Sequence, residues 1–274
     1  VVVAVGGSAL LPADGPATHA AQERACRGVA DAVARLASEH EVVLTHGNGP
    51  QSGLWATMAA EHCGDDAWPL GPSNAATHGL IGHDLVRALD DALPDDQQAV
   101  AVLTRVEVDG DDPAFDDPTK PVGRDEERVV PSPVPRRIVE VQPVRTLVEA
   151  GFVVVCLGGG GAPVVPRGEQ TDLADAVVDK DRSSAMLAEA LDADVLVFLM
   201  DRDAVYVGLD TDDPEKVERF HPVDDDPDDF DAGEMGPKLQ AASRFARQGG
   251  RAMIGAVDDL TALVRGEAGT TVAC

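Results

Sequence analysis

Val42-Val43-Leu44-Thr45-His46-Gly47-Asn48-Gly49-Pro50-Gln51-Ser52-Gly53 is a short apolar run that opens, after a histidine, into a glycine-bracketed turn. A buried strand over residues 42–45 accounts for the run. A helix following it makes Gly47, Asn48 and Gly49 a nest of backbone N–H groups at a helix N-terminus, a place suited to an anion. The spacing is not that of a Walker loop, because Gly-x-x-x-x-Gly-Lys occurs nowhere in the chain. His46 has two readings at this stage, a general base or a buried ring that ties the loop down.

Outward from this stretch the layout repeats. Strands are expected over residues 1–5, 99–104, 152–157, 195–199 and 252–256. They alternate with helical patterns over 18–39, 74–91, 143–150, 182–191 and 237–248. The first helix carries Ala21, Ala25, Val29, Val33 and Leu36 on one face, with Thr18 as its N-cap. Such alternation predicts an α/β fold with a mainly parallel sheet covered by helices. The pattern fails over 108–135 and over 210–233, where proline and aspartate dominate, so both stretches are expected to be irregular. The natural division is an N-terminal lobe over 1–150 and a C-terminal lobe over 151–274, with one continuous sheet able to cross both.

Two more strand ends carry glycines. Gly6-Gly7-Ser8 follows the first strand, either as a tight turn or as a second anion contact. Gly158-Gly159-Gly160-Gly161 follows Leu157, and four successive glycines cost so much chain entropy that close backbone approach to a ligand or another segment is expected. A dinucleotide site is disfavoured because no acidic residue closes a strand about 20 residues on.

Composition narrows the function classes. The 274 residues include 49 acidic and 22 basic side chains, a formal charge of −27. Nucleic acid and anionic membranes would be repelled. Carboxylates scattered through folded segments suggest solvation in a salt-rich cytoplasm. Cys26, Cys63, Cys156 and Cys274 are far apart and have no metal-ligand spacing, so reduced thiols and no protein-held metal are expected. No apolar run approaches the roughly 20 residues of a membrane span.

Eighteen of the basic residues are arginines and only four are lysines, Lys120, Lys180, Lys216 and Lys238. A compact ammonium is not interchangeable with a guanidinium, so lysines kept in such a chain point to chemistry. Lys180 lies between Asp179 and Asp181 at an expected helix start, and Lys238 in Met235-Gly236-Pro237-Lys238 opens another. Each could instead be a surface ion pair or a solvated side chain. Together with the glycine loops they suit phosphoryl transfer, in which neutralising the equatorial oxygens carries most of the catalysis. Asp181 could keep two ammonium groups oriented and charged.

Taken together and in this order, the motifs resemble the amino acid kinase superfamily, and within it the carbamate kinases. The resemblance rests on Thr45 to Gln51, on Pro118-Thr119-Lys120-Pro121-Val122-Gly123 with Val129-Val130-Pro131-Ser132-Pro133, and on residues 158–164, 178–181 and 235–238. It covers essentially the whole chain. It implies a three-layer αβα sandwich around a mainly parallel sheet of about eight strands, a cytoplasmic homodimer, and reversible phosphoryl transfer between carbamoyl phosphate and ADP during arginine breakdown. By motif, Gly6, Gly7, Ser8, Gly47, Asn48 and Gly49 would bind carbamoyl phosphate or carbamate in the N-terminal lobe. Lys120, Lys180 and Lys238 would stabilise the transferring group, organised by Asp181. ATP or ADP would lie near Gly159, Gly160, Asp203, Val205, Tyr206, Met235 and Pro237, with Mg²⁺ held by the nucleotide's own phosphates. Lys216 falls in no motif and is expected to be dispensable. Ser8 stands where the family usually has asparagine, Met200 where threonine is frequent, and the excursion around Lys120 is shortened at residues 123–128. Those departures leave room for another small carboxylate or phosphate acceptor, or for a nucleotide-binding paralogue without turnover.

Overall fold

A computed structural model describes residues 1–11, 18–64, 69–122, 128–208, 211, 213–227, 230 and 235–274. In chain order the elements are β1 (Val2–Val5), α1 (Gly7–Leu10), α2 (His19–Ala37), β2 (Val43–His46), α3 (Gly49–Cys63), α4 (Leu70–Ala92), β3 (Ala99–Ala101), β4 (Arg105–Val108), β5 (Lys120–Val122), β6 (Arg128–Val130), β7 (Pro135–Ile138), α5 (Val141–Glu149), β8 (Val153–Cys156), β9 (Ala162–Arg167), β10 (Gln170–Leu173), α6 (Lys180–Ala190), β11 (Val195–Met200), β12 (Val205–Val207), β13 (Glu215–Val217), β14 (Arg219–Phe220), α7 (Met235–Arg247), β15 (Arg251–Ala256), α8 (Leu260–Arg265) and β16 (Thr270–Val272).

The central sheet has eight strands in the order β14-β16-β15-β11-β1-β2-β8-β3. Every neighbouring pair is parallel except β15 with β16. Strands buried on both faces read as unbroken apolar runs, and β1, β2, β8 and β11 are buried at every position. Alternate residues serve opposite faces. Val2, Ala4, Val154, Leu196 and Phe198 pack with Leu187, Leu239 and Phe245 from α6 and α7. Val3, Val5, Val155, Val197 and Leu199 pack with Val33, Leu36, Ile81, Leu85 and Leu263 from α2, α4 and α8. The result is the expected three-layer sandwich.

Several local expectations are corrected. The strand expected over 99–104 ends at Ala101. Thr104 is fully buried, where its hydroxyl donates to Val102 O and accepts from Leu157 N, and the chain leaves for a second sheet as β4. That sheet, β10-β9-β4-β7, includes a hairpin at residues 162–173 that Pro163 and Pro166 disguise. The stretch over 210–233 holds β13 and β14, too short to show a period, while residues 209–210, 212, 228–229 and 231–234 lie outside the described residues. The stretch over 108–135 carries the β5–β6 hairpin, and residues 123–127 of the shortened run also lie outside. On α2 the buried face runs through Gln22 and Cys26 rather than Ala21 and Ala25, because the buried Asp84 carboxylate accepts from the Gln22 side-chain amide at 2.7 Å.

All four cysteines are free, Cys26 and Cys156 buried, Cys63 and Cys274 exposed. Burial pushes the Cys26 thiol up to about 12. Among the described residues no helix is long and apolar enough to cross a membrane.

Candidate active site

Registry in the parallel sheet brings the carboxyl ends of its central strands level: Val5 stands opposite both His46 and Leu199, and Thr45 opposite Cys156. The glycine loops after β1, β2 and β8 therefore leave the sheet side by side, at the edge where open α/β sheets hold ligands. Gly6 N donates to Leu199 O at 3.0 Å and Gly47 N to Val5 O at 2.9 Å, fixing the first two loops to their neighbours.

How tightly the loops meet is shown by the room a methyl group would have. A Cβ on Gly47 would lie 2.8 Å from Gly7 N and 3.4 Å from Lys180 Cδ. One on Gly159 would strike the Asn48 side chain, and one on Gly160 would lie 2.3 Å from Val178 O. Gly159, Gly160 and Gly161 take φ of 63°, 84° and 92°, a left-handed run that side chains resist. Even Leu157, fully buried, has φ 50°. The entropy cost of four glycines is explained by this crowding.

The lysines gather where these loops converge. Asp179 caps α6, its Oδ1 accepting from Asp181 N at 3.0 Å and Arg182 N at 3.1 Å. Lys180 and Asp181 thus open the helix. Asp181, 5% exposed, accepts from Lys180 on Oδ1 and from Lys238 on Oδ2, the latter at 2.8 Å. Lys238 comes from the first turn of α7, is 4% exposed, and stands 5.6 Å over the Phe198 ring. Lys120 arrives on β5, and its Nζ lies 3.1 Å from Asp179 Oδ2. Three lysines from distant stretches of chain meet at one helix start.

Charge follows from this packing. Burial opposes a carboxylate at Asp181, yet the ammonium groups of Lys180 and Lys238 outweigh it and hold the carboxyl well below the usual range. Burial pushes Lys180 down, with repulsion from Lys238 adding and attraction to Asp181 opposing. Asp181 is therefore the counter-charge shared by two crowded ammonium groups.

Polar residues on one face of α4 hold the loops from behind, a role the sequence reading missed. Asn74 Nδ2 donates to Gly161 O at 3.0 Å, which leaves Asn74 Oδ1 to accept from Asn48 Nδ2. Asn48 Nδ2 also reaches Thr77 Oγ1 at 2.9 Å, and Gly158 N reaches His78 Nε2 at 3.3 Å. With its side-chain amide committed to α4, Asn48 is left with its backbone for an anion. The available signal was spacing: Asn74, Thr77 and His78 lie at helical intervals in line with the core residues Ile81 and Leu85.

His46 is fully buried, its Nδ1 3.1 Å from Gly47 O and its ring edge-on to His78 at 5.5 Å. Burial pushes its pKa down to about 4 and that of His78 to about 3. Of the two earlier readings, the loop-tying one fits this geometry. Because the folded value lies below the ordinary 6.5, the neutral ring's contribution is complete above pH 6.5 and drains as pH falls toward 4. At His46 this amounts to roughly 3 kcal/mol. In urea unfolding at constant high salt, His46→Asn should show a shallower loss of stability over that window. An unchanged slope would show that the ring is not buried neutral.

A model of the amino acid kinase family matches residues 1–255. The chain belongs to the amino acid kinase family. Within that family it is 40% identical, over 299 aligned positions, to a carbamate kinase of Rhizobium meliloti (strain 1021), covering 99% of this chain and 92% of that one. It is 38% identical to a carbamate kinase of Haemophilus influenzae, with 99% and 96% covered. Among solved structures, Giardia carbamate kinase superposes with a TM-score of 0.91 at 31% identity, covering 100% and 98% of the two chains. Carbamate kinase from Giardia lamblia bound to AMP-PNP gives 0.91, again at 31% identity, with 99% and 97% covered.

The residues assigned to the nucleotide by resemblance fall into two groups. Gly159, Gly160, Met235 and Pro237 adjoin the lysine cluster, in the loop beside Lys180 or in the turn that carries Lys238. Asp203 and Tyr206 form a second group on and before β12, where Asp203 accepts from Tyr206 OH at 3.0 Å and from Lys216 Nζ at 2.9 Å. Val205 is buried in the core and its N–H goes to Thr270 Oγ1, so its side chain supports the hairpin rather than facing solvent. Lys216, which falls in no motif, is the partner of Asp203 in an exposed ion pair. The pairing of β12 with β13 sets Lys216 opposite Tyr206, a contact between residues ten apart with no signature in a three-residue strand. Ser8 sits in α1, the short helix turn after Gly6.

Proposed function

We propose that this chain is an ATP-dependent carbamate kinase, transferring the phosphoryl group of carbamoyl phosphate to ADP and, in reverse, that of ATP to carbamate. The observation that carries the reading is the meeting of Lys180 and Lys238 on buried Asp181 under the glycine loops, with Lys120 one carboxylate away. In the ATP-forming direction a β-phosphate oxygen of ADP bonds to phosphorus as the bond from phosphorus to the carbamoyl oxygen breaks. Carbamate departs with that electron pair as a carboxylate and then decays to ammonia and CO₂. Neither the attacking phosphate oxygen nor the leaving carboxylate needs a proton moved, which agrees with histidines that stay neutral and buried. What the transfer does need is positive charge around the three equatorial oxygens, and the lysines and loop N–H groups supply it.

Residues of the N-terminal part, Gly6, Gly7, Ser8 and Gly47 to Gly49, would hold carbamoyl phosphate. The C-terminal part, through Gly159, Gly160, Met235, Pro237 and the Asp203–Tyr206 hairpin, would hold the nucleotide. Among the described residues no group of three or more His, Cys, Asp or Glu side chains is placed to hold a metal ion. Asp179 and Asp181 are both taken by ammonium groups, so magnesium fits here as part of the nucleotide, and its contribution when bound is to neutralise phosphate charge. The homodimer, the salt-rich cytoplasm and the place in arginine breakdown belong to the same reading, the second supported by the −27 charge.

The test is ATP formation from ADP and carbamoyl phosphate in molar salt. Turnover is expected. Tight ADP binding with no ATP formed from carbamoyl phosphate would replace this reading with a non-catalytic one.

A further inference from the structure

Asp179 does two jobs with one carboxylate. Its Oδ1 caps α6 through Asp181 N and Arg182 N, and its Oδ2 lies 3.1 Å from Lys120 Nζ. Lys120 opens β5, whose partner strand β6 ends at the buried Val130, and Pro131 O just beyond accepts from Val177 N at 3.0 Å. The excursion thus touches the segment leading into α6 at two points, one through backbone and one through a charge. Lys120 has 43% of its side chain exposed and is paired with Asp179, whereas Lys180 and Lys238 are paired with Asp181.

We infer that Asp179 is a positioning residue, which sets Lys120 against the start of α6 so that its ammonium joins those of Lys180 and Lys238 at the transferring group. The assignment rests on the carbamate kinase reading. A half-exposed ion pair contributes little to stability, so the effect belongs to turnover and to the order of the hairpin. A carboxylate is required because only a carboxylate has two acceptor oxygens to divide between cap and lysine. Asparagine caps a helix as well as aspartate does, but with its one oxygen on the helix N–H groups its NH₂ end faces Lys120 and repels it.

The test is a cycle of Asp179→Asn, Lys120→Ala and the double substitution, read as kcat and KM for carbamoyl phosphate and ADP. Hydrogen exchange of β5 and β6 is measured in parallel on the ligand-free protein. Asp179→Asn should lower kcat about tenfold alone, as loss of one charge-assisted contact does, and less than about twofold in the Lys120→Ala background. Exchange in the two strands should rise, with the melting temperature preserved. Asp179→Ser, which also caps, should behave alike and serves if the asparagine variant folds poorly. An equal kcat penalty in both backgrounds, or unaltered kcat and exchange, overturns the assignment. Absence of turnover in the unsubstituted protein would remove the carbamate kinase reading instead, and hairpin exchange would then decide whether Asp179 docks Lys120.

Discussion

Asp181→Asn is expected to lower kcat by about a thousandfold and to cost about 3–5 kcal/mol of stability. The carboxylate is nearly sealed from solvent and accepts from two ammonium groups, one on each oxygen. Without its charge those groups repel each other at close range in a poorly solvated place. The cheapest relief is for one of them to lose its proton, and Lys180, already pushed down by burial and by Lys238, is the one to do so. A neutral lysine gives the transferring phosphoryl group much less. A pH profile distinguishes this account from simple disorder. Lowering the pH restores the proton, so the variant should recover part of its rate as the pH falls while the unsubstituted protein changes less. Measurement of kcat at several pH values, alongside urea unfolding at fixed salt, decides the matter; a variant within tenfold of the starting rate would show that Asp181 does not maintain the charge.

Lys120→Ala should lower kcat about a hundredfold, the usual effect of removing one charge partner of a transition state. Its stability cost should stay near 0.5 kcal/mol, because the Lys120–Asp179 pair is partly exposed. That contrast with Asp181→Asn is the diagnostic feature, since one substitution strikes a buried charge centre and the other a group held at its rim. Steady-state kinetics with both substrates and a melting curve suffice. An unchanged rate would mean that the hairpin carrying Lys120 does not reach the transferring group.

Much of this was legible in the sequence because buried parallel strands announce themselves: residues 1–5, 152–157 and 195–199 are apolar at nearly every position. Lysine scarcity marks out Lys180 and Lys238 in a chain otherwise basic through arginine. The hidden parts share a physical cause, which is that their meaning lies in partners far along the chain. Asn74, Thr77 and His78 look like ordinary polar residues on a helix until Asn48, Gly158 and Gly161 are brought against them. Nothing local marks Lys216 as the partner of Asp203. Asp179 reads as a cap, and only the arrival of β5 gives its second oxygen a purpose. Pro163 and Pro166 interrupt any local strand signal where tertiary pairing makes β9.

The position of β8 has a bearing on how this molecule can work. Although it follows residue 150, it is hydrogen-bonded between β2 and β3, with Val154 beside Val43 and Val153 beside Ala99. The two halves of the chain are therefore sewn through a shared ladder, and fragments divided near that residue would each expose a raw seam. Opening the chain like a clamshell at residue 150 would have to break those bonds.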